Sequence, residues 1–292
     1  MSEGIQGGGG PRAWATRAVQ WNPARAAVKH GVHAYAAARG RALQLTGKVP
    51  TIGNIYAASS PKAGSQWMKA LFDHPVVREH TGLFTLPQLD YQAMPGKTFP
   101  AGTFVPGIYA TYDEFRGHPQ PCGHRVVYMF RDPRDLVVSG YYSAVKTHRK
   151  THLEEVERVR DEIRALPFDE GLLLLIEDAA PRLHEIETWV DVEDPAVAKF
   201  RLEDVSADPR AVVPQILAHC GVVLSEQELE IVLNDVSREA LQARDLAHRE
   251  AGAESHYRVD RKSFRDVFQP EHHEALEAIV PGLAERLGYP IA

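Results

Sequence analysis

Residues 1–292 predict an α/β fold, a central parallel sheet flanked by helices, from three features of the chain. Short apolar runs at 53–58, 103–110, 125–130 and 198–202 have the length and texture of buried strands. Longer stretches of helical pattern separate most of them, as parallel strands require of their crossovers. The composition is that of an ordinary globular chain, with 44% hydrophobic and 25% charged residues and a net charge of −6, which excludes wholesale disorder and collagen-like repetition. No run approaches the roughly 18 apolar residues of a membrane span; the longest, 172–176, has five.

Residues 1–50 carry seven Lys or Arg against the single acid Glu3, a charge of +6, and leave −12 for residues 51–292. We divide the chain there. Gly7 to Gly10 and Pro11 suit a flexible start, and 13–45, rich in Ala, Arg and spaced apolar residues, suits a helical arm. Such a basic helix can touch an anionic membrane from one side, although packing on its own domain is the commoner use; no nucleic-acid partner is expected. Beyond Pro50, 53–58 reads as a strand, 59–64 as a turn of small residues and 65–72 as a helix start. Prolines and glycines at 87–100 imply a surface excursion. Strands at 103–110 and 125–130 follow, then a helix opened by Pro133 and running to about Lys146. Further helices are predicted at 153–165, 170–190, 209–220, 225–235 and 271–287.

Two segments carry chemistry. Pro61-Lys62-Ala63-Gly64-Ser65-Gln66-Trp67 lies where a strand gives way to a helix. Backbone N–H groups and the positive end of the helix dipole then converge on a place suited to phosphate. Lys62 adds a mobile cation there, and Ser65 and Gln66 add side-chain donors. A Walker A loop puts its lysine after the second glycine, whereas Lys62 precedes Gly64, so ATP or GTP hydrolysis loses support. The second segment, Arg131-Asp132-Pro133-Arg134-Asp135 through Ser139, sets an arginine at a strand end and a serine two turns into the next helix. Together they can meet a second phosphate group.

The two segments, seventy residues apart, resemble the sulfotransferase family that uses 3′-phosphoadenosine 5′-phosphosulfate (PAPS), with its patterns PKSGTTW and RNPKDVAVSYYH. The resemblance implies a nucleotide-binding sulfotransferase fold over 51–292. It also implies PAPS as donor, adenosine 3′,5′-bisphosphate (PAP) as product, and no metal. By the same resemblance Lys62 meets the bridging oxygen or the sulfuryl group; the loop Ala63, Gly64, Ser65 and Gln66 holds the 5′-phosphate; Trp67 stacks near adenine; Arg131 and Ser139 hold the 3′-phosphate. Val236-Ser237 resembles the family's adenine-lining region, and Arg261-Lys262 resembles the basic pair of RKGxxGDWxxxF, although Ser263 stands in place of the glycine and the Gly-Asp-Trp is missing.

The attacking side of the reaction needs a group that takes a proton. Relatives carry a histidine in a KTHLP-like strand, but 103–113 contains none. A second template, the HPDV segment of carbohydrate and protein-tyrosine sulfotransferases, resembles His74-Pro75-Val76-Val77 and points to Glu79 or His80. His80 is preferred because its ordinary pKa suits a base at neutral pH; Asp113 and His118 are the other candidates. His148 and His152 have a zinc-compatible spacing without a third ligand. The expected protein is a cytoplasmic sulfotransferase acting on a small-molecule, glycan or lipid hydroxyl or amine. Cys122 and Cys220 are too few for a disulfide framework, and no leading apolar stretch resembles a secretion signal. The alternatives are a nucleotide kinase and a non-catalytic nucleotide-binding module.

Overall fold

The computed structural model describes residues 23–48, 50, 52–87, 98–147, 154–247 and 262–290. Five strands, β1 Ile55–Ser59, β2 Phe84–Thr85, β3 Thr103–Ile108, β4 Arg125–Phe130 and β5 Val197–Arg201, form one sheet in the order β2-β3-β1-β4-β5. Every neighbouring pair runs parallel. Period-2 alternation sorts the side chains: Ile55, Ala57, Val127 and Met129 enter one apolar cluster, and Tyr56, Ala58, Val126 and Tyr128 the other. Both faces are therefore covered, as a parallel sheet needs.

The helices are α1 Pro23–Thr46, α2 Ser65–Asp73, α3 Pro75–Thr81, α4 Tyr112–Arg116, α5 Pro133–Tyr142, α6 Glu154–Ala165, α7 Phe168–Asp178 and α8 Ala180–Val190. They continue with α9 Leu202–Ala207, α10 Pro209–His219, α11 Glu226–Asp235, α12 Arg238–Ala247, α13 Phe264–Val267, α14 Pro270–Ile279 and α15 Leu283–Arg286. Met68 and Leu71 of α2 and Val213 and Ile216 of α10 cover the first face; Leu136 of α5, Leu172 of α7 and Ile186 of α8 cover the second.

The structure differs from the sequence reading at particular places. The helix expected over 170–190 divides at Ala179, with Pro181 in the first turn of α8. That expected over 271–287 divides at Pro281-Gly282, where Gly282 takes φ 65°. The helix from Pro133 ends as α-helix at Tyr142 and widens into a π-helical turn, Ser143–Thr147. A two-residue strand not expected from the sequence, β2, precedes the excursion at 87–100, of which 88–97 lies outside the described residues. Within the described residues the helical arm runs Pro23–Thr46 and rests on the sheet edge; the part of it expected before Pro23 lies outside them. Ala36 is buried in the second cluster, Tyr35 meets the Phe84 ring at 5.2 Å, and the Arg39 guanidinium donates to the carbonyls of Gly102 and Gly82.

Candidate active site

β1 and β4 are neighbours, and the crossover from β1 goes to the β2–β3 side while that from β4 goes to β5 on the other. Ligands of open parallel sheets collect outside the strand ends at such a reversal. The loop from Ser60 to Gly64 leaves β1 there and turns into α2. Two left-handed residues make the turn, Lys62 at φ 73° and Gly64 at φ 94°. At Gly64 a Cβ would come within 2.9 Å of Leu202 Cδ1, so the glycine serves both the backbone angle and the close approach of α9. Gly64 also caps α2 without a side chain, which leaves the first N–H groups of the helix free of a side-chain cap beside the cleft.

A cleft of about 660 Å³ opens at this point. Lys62, Gly64, Ser65, Gln66, Trp67, Ser139 and Ser237, all expected from the sequence, line it. The Trp67 indole N–H donates to the Val236 carbonyl at 3.2 Å, which fixes the ring against the loop before α12. Ser237 Oγ donates to the Asn234 carbonyl at 2.8 Å and accepts from the Ala240 N–H at 3.2 Å, so this hydroxyl is committed to the helix start. Ala63 is different: its methyl is fully buried and its N–H donates to the Ser60 carbonyl at 3.1 Å, so it shapes the loop and does not line the cleft.

A second hollow, about 380 Å³, shares Leu202, Ser206 and Arg238 with the first and is lined by Arg131, Asp135, Glu203, Lys262 and Ser263. Arg131 is buried, with Nε 3.7 Å from Glu203 Oε1. The turn that carries it is held from behind. Asp132 caps α5 and receives the Arg134 guanidinium at 2.9 and 2.7 Å, and Arg134 lies 4.0 Å from the Phe264 ring centre. Asp135 accepts from Ser263 Oγ at 3.1 Å and from the Phe264 N–H at 2.8 Å, which brings Lys262 over the hollow. Arg261 lies outside the described residues.

The candidates for the base do not reach the cleft. His80 and Glu79 lie on the exposed side of α3, beyond the far end of α2, and His80 Nε2 is 2.9 Å from Glu228 Oε1. That contact holds the Glu228 carboxyl down at about 2. His74, the start of the HPDV-like segment, is buried as the cap of α3 and pairs with Asp235 at 3.1 Å. Asp113 is exposed on α4, and His118 is buried beside the Phe99 ring at 6.2 Å. The base reading thus followed a local motif that the fold uses for capping. Among the described residues no group of three or more side chains could hold a metal ion, and His148 and His152 fall outside them.

Four residues in or beside the two hollows were not among the expected site residues: Tyr109, Arg238 and Glu203, which line them, and Ser143, which bonds Lys62. Lys62 Nζ donates to Ser143 Oγ, one turn beyond Ser139 on the π-helical turn. Tyr109 donates to Ser65 Oγ at 2.9 Å from the end of β3. Arg238 borders both hollows. Glu203 accepts from the Tyr289 hydroxyl at 2.6 Å. Ser143, four residues after Ser139, and Arg238, directly after Ser237, each had a signal nearby in sequence.

An open parallel sheet with a helix start at its reversal, beside a second hollow lined by Arg131 and Lys262, defines an α/β protein whose site has the chemistry to receive anions. The family model described as Sulfotransferase domain matches residues 123–287, more than half of the chain, and the protein belongs to that family. No curated protein matches it significantly in sequence. Among solved structures, a mouse sulfotransferase complexed with PAP is similar with a TM-score of 0.55 at 12% identity, over 80% of this chain and 87% of that one. Retinol dehydratase in complex with retinol and PAP gives 0.48 at 16%, over 84% and 83%. The sulfotransferase domain of the Synechococcus PCC 7002 olefin synthase gives 0.43 at 14%, over 82% and 95%. The first of these shows the shared fold.

Proposed function

We propose that this protein transfers a sulfuryl group from PAPS to a hydroxyl or amine of a small-molecule, glycan or lipid acceptor. The observation that carries the reading is the pair of joined hollows, one lined by Lys62, Gly64, Ser65 and Gln66 and the other by Arg131 and Lys262. Their residue chemistry fits a donor substrate with two separated phosphate groups. The uncapped start of α2 suits the 5′-phosphate, the Lys62 ammonium suits charge developing on the leaving oxygen, and the fixed Arg131 suits the 3′-phosphate. Trp67 supplies a flat apolar wall for a purine. Residues 51–292 form the catalytic unit in this reading, and the helix of the basic arm buttresses its edge. Cys122 and Cys220, both unpaired, suit a cytoplasmic location.

Thermal-shift and calorimetric titration with PAP test this. PAP at micromolar concentration should raise the melting temperature, because a ligand bound only by the native state stabilises it by mass action. Arg131→Ala should weaken that binding by about 1.5–3 kcal/mol, the range for hydrogen bonds to charged groups. A larger shift with ATP and Mg²⁺ than with PAP would favour a nucleotide kinase and overturn the assignment.

A further inference from the structure

The cleft and the second hollow meet at Leu202, Ser206 and Arg238. A leucine side chain forms no hydrogen bond, and Ser206 Oγ already donates to the Leu202 carbonyl at 2.8 Å. Arg238 is different. It opens α12, whose start is held by Ser237 and whose Leu241 is buried, and its own half-buried side chain makes no hydrogen bond or ion pair among the described residues. A cation in the first turn also opposes the helix dipole. Glu239, the next residue, offsets part of that opposition, but it is exposed, lines the cleft alone, and side chains one apart on a helix do not face each other. The second hollow gathers three cations from three elements: Arg131 from the turn into α5, Arg238 from the start of α12, and Lys262 from the residue before the cap of α13. Its two carboxylates are engaged. Asp135 accepts from Ser263 and the Phe264 N–H, and Glu203 accepts from the Tyr289 hydroxyl and, at 3.4 Å, from the Asp132 N–H. Arg131 lies 3.7 Å from Glu203, whereas Arg238 and Lys262 have no carboxylate partner among the described residues.

We propose that Arg238 is a donor-specificity residue, which closes on the 3′-phosphate from the side of the cleft and so selects 3′-phosphorylated nucleotides over those that carry a 5′-phosphate alone; the proposal rests on the PAPS reading of the site. A phosphate monoester carries between one and two negative charges at neutral pH and presents three terminal oxygens, a match for three separate cationic groups. Arg131 is buried and shares its charge with Glu203, and Lys262 is an exposed point charge. The Arg238 guanidinium adds a planar fork of donors that meets two phosphate oxygens at once. A nucleotide with only a 5′-phosphate places its anion at the start of α2 and leaves this fork unmatched. The bound 3′-phosphate also relieves the repulsion between Arg238 and the dipole of α12, so the charge that is locally unfavourable in the free protein becomes favourable in the complex. Arg238 stands one position beyond Val236-Ser237, the segment that resembles an adenine wall, and its charge is a feature that the resemblance did not imply.

Calorimetry on the full chain with two probes, PAP and adenosine 5′-monophosphate (AMP), tests this in Arg238→Ala and Arg238→Lys. Wild type should bind PAP more tightly than AMP. Arg238→Ala should weaken PAP binding on the order of 10- to 100-fold, the loss for hydrogen bonds to a charged group, and AMP binding by less than about threefold. Arg238→Lys should recover part of the loss, because it restores the charge without the fork. The urea midpoint of ligand-free Arg238→Ala should equal or exceed that of wild type, since the cation removed is one that opposed the helix dipole. A preference for PAP over AMP undiminished in Arg238→Ala, equal losses for the two nucleotides, or a lowered midpoint in the ligand-free variant would each overturn the assignment. Those outcomes leave the donor reading standing if wild type prefers PAP; a wild type that binds the two nucleotides alike would remove both readings together.

Discussion

Lys62 is the one non-glycine residue, among those described, with a left-handed backbone. A lysine in that region costs of order 1 kcal/mol or more, and such residues persist where surrounding structure holds them. Here the Ser60 carbonyl, taken by the Ala63 N–H, and the Ser143 hydroxyl, taken by Lys62 Nζ, hold it from two sides. His80 is the opposite case. Its chemistry suits catalysis, but its surroundings are solvent and Glu228. His80→Ala and Glu79→Gln should therefore leave single-turnover transfer and PAP affinity within about twofold of wild type, as for exposed residues remote from a site. A drop of tenfold or more in transfer for either variant would return the base to α3.

At the scale of elements, α2 does two jobs with opposite ends. Its start points uncapped N–H groups at the cleft, while Met68, Leu71 and Phe72 bury its flank against the sheet. The positive end of the dipole is thereby fixed by packing rather than by contact with the anion. α1 works at the sheet's edge, where β2 is only two residues long. Its Arg39 spans from the helix to the carbonyls of Gly82 and Gly102, which flank β2 and β3; that of Gly102 also accepts from the Phe84 N–H. Arg39→Ala should lower stability by about 1–3 kcal/mol, the cost of leaving such acceptors without a charged donor. The urea midpoint checks this, and an unchanged midpoint would mean that the arm is dispensable to the fold.

Over the whole molecule, the two apolar clusters share one sheet, and polar groups occur inside mainly where they are paired. Glu185 on α8 is a partial exception. Burial pushes its carboxyl up to about 7 against the pull of Arg182, and Glu114 adds to the rise. The folded protein thus holds this proton more tightly than the unfolded chain between about pH 4.5 and 7. Stability from this group is full at the acid end of that window and falls as the pH rises through it, by at most about 3 kcal/mol. Glu185→Gln should flatten the decline, so the difference in melting temperature between pH 5 and pH 8 narrows. An undiminished difference in the variant would assign the pH dependence to other groups.

Local physics made much of this protein legible without a structure. The strand at 125–130 was read with its observed limits, since a run of apolar residues closed by Arg131-Asp132-Pro133 leaves little choice of ending. The turn from β1 into α2 was legible because its small residues and the helix-starting residues are contiguous, and contiguity survives folding. Tertiary structure decided the rest. It joined Arg131 and Lys262, 131 residues apart, in one hollow through the bonds of Asp135 to Ser263 and Phe264. It placed His74 and His80 away from the cleft, because whether a histidine caps a helix or faces a cleft depends on which helix packs beside it. It also turned Tyr109 toward Ser65 by a one-residue bulge. The parity of a strand is set by its partner's register, and no single segment of sequence contains both strands.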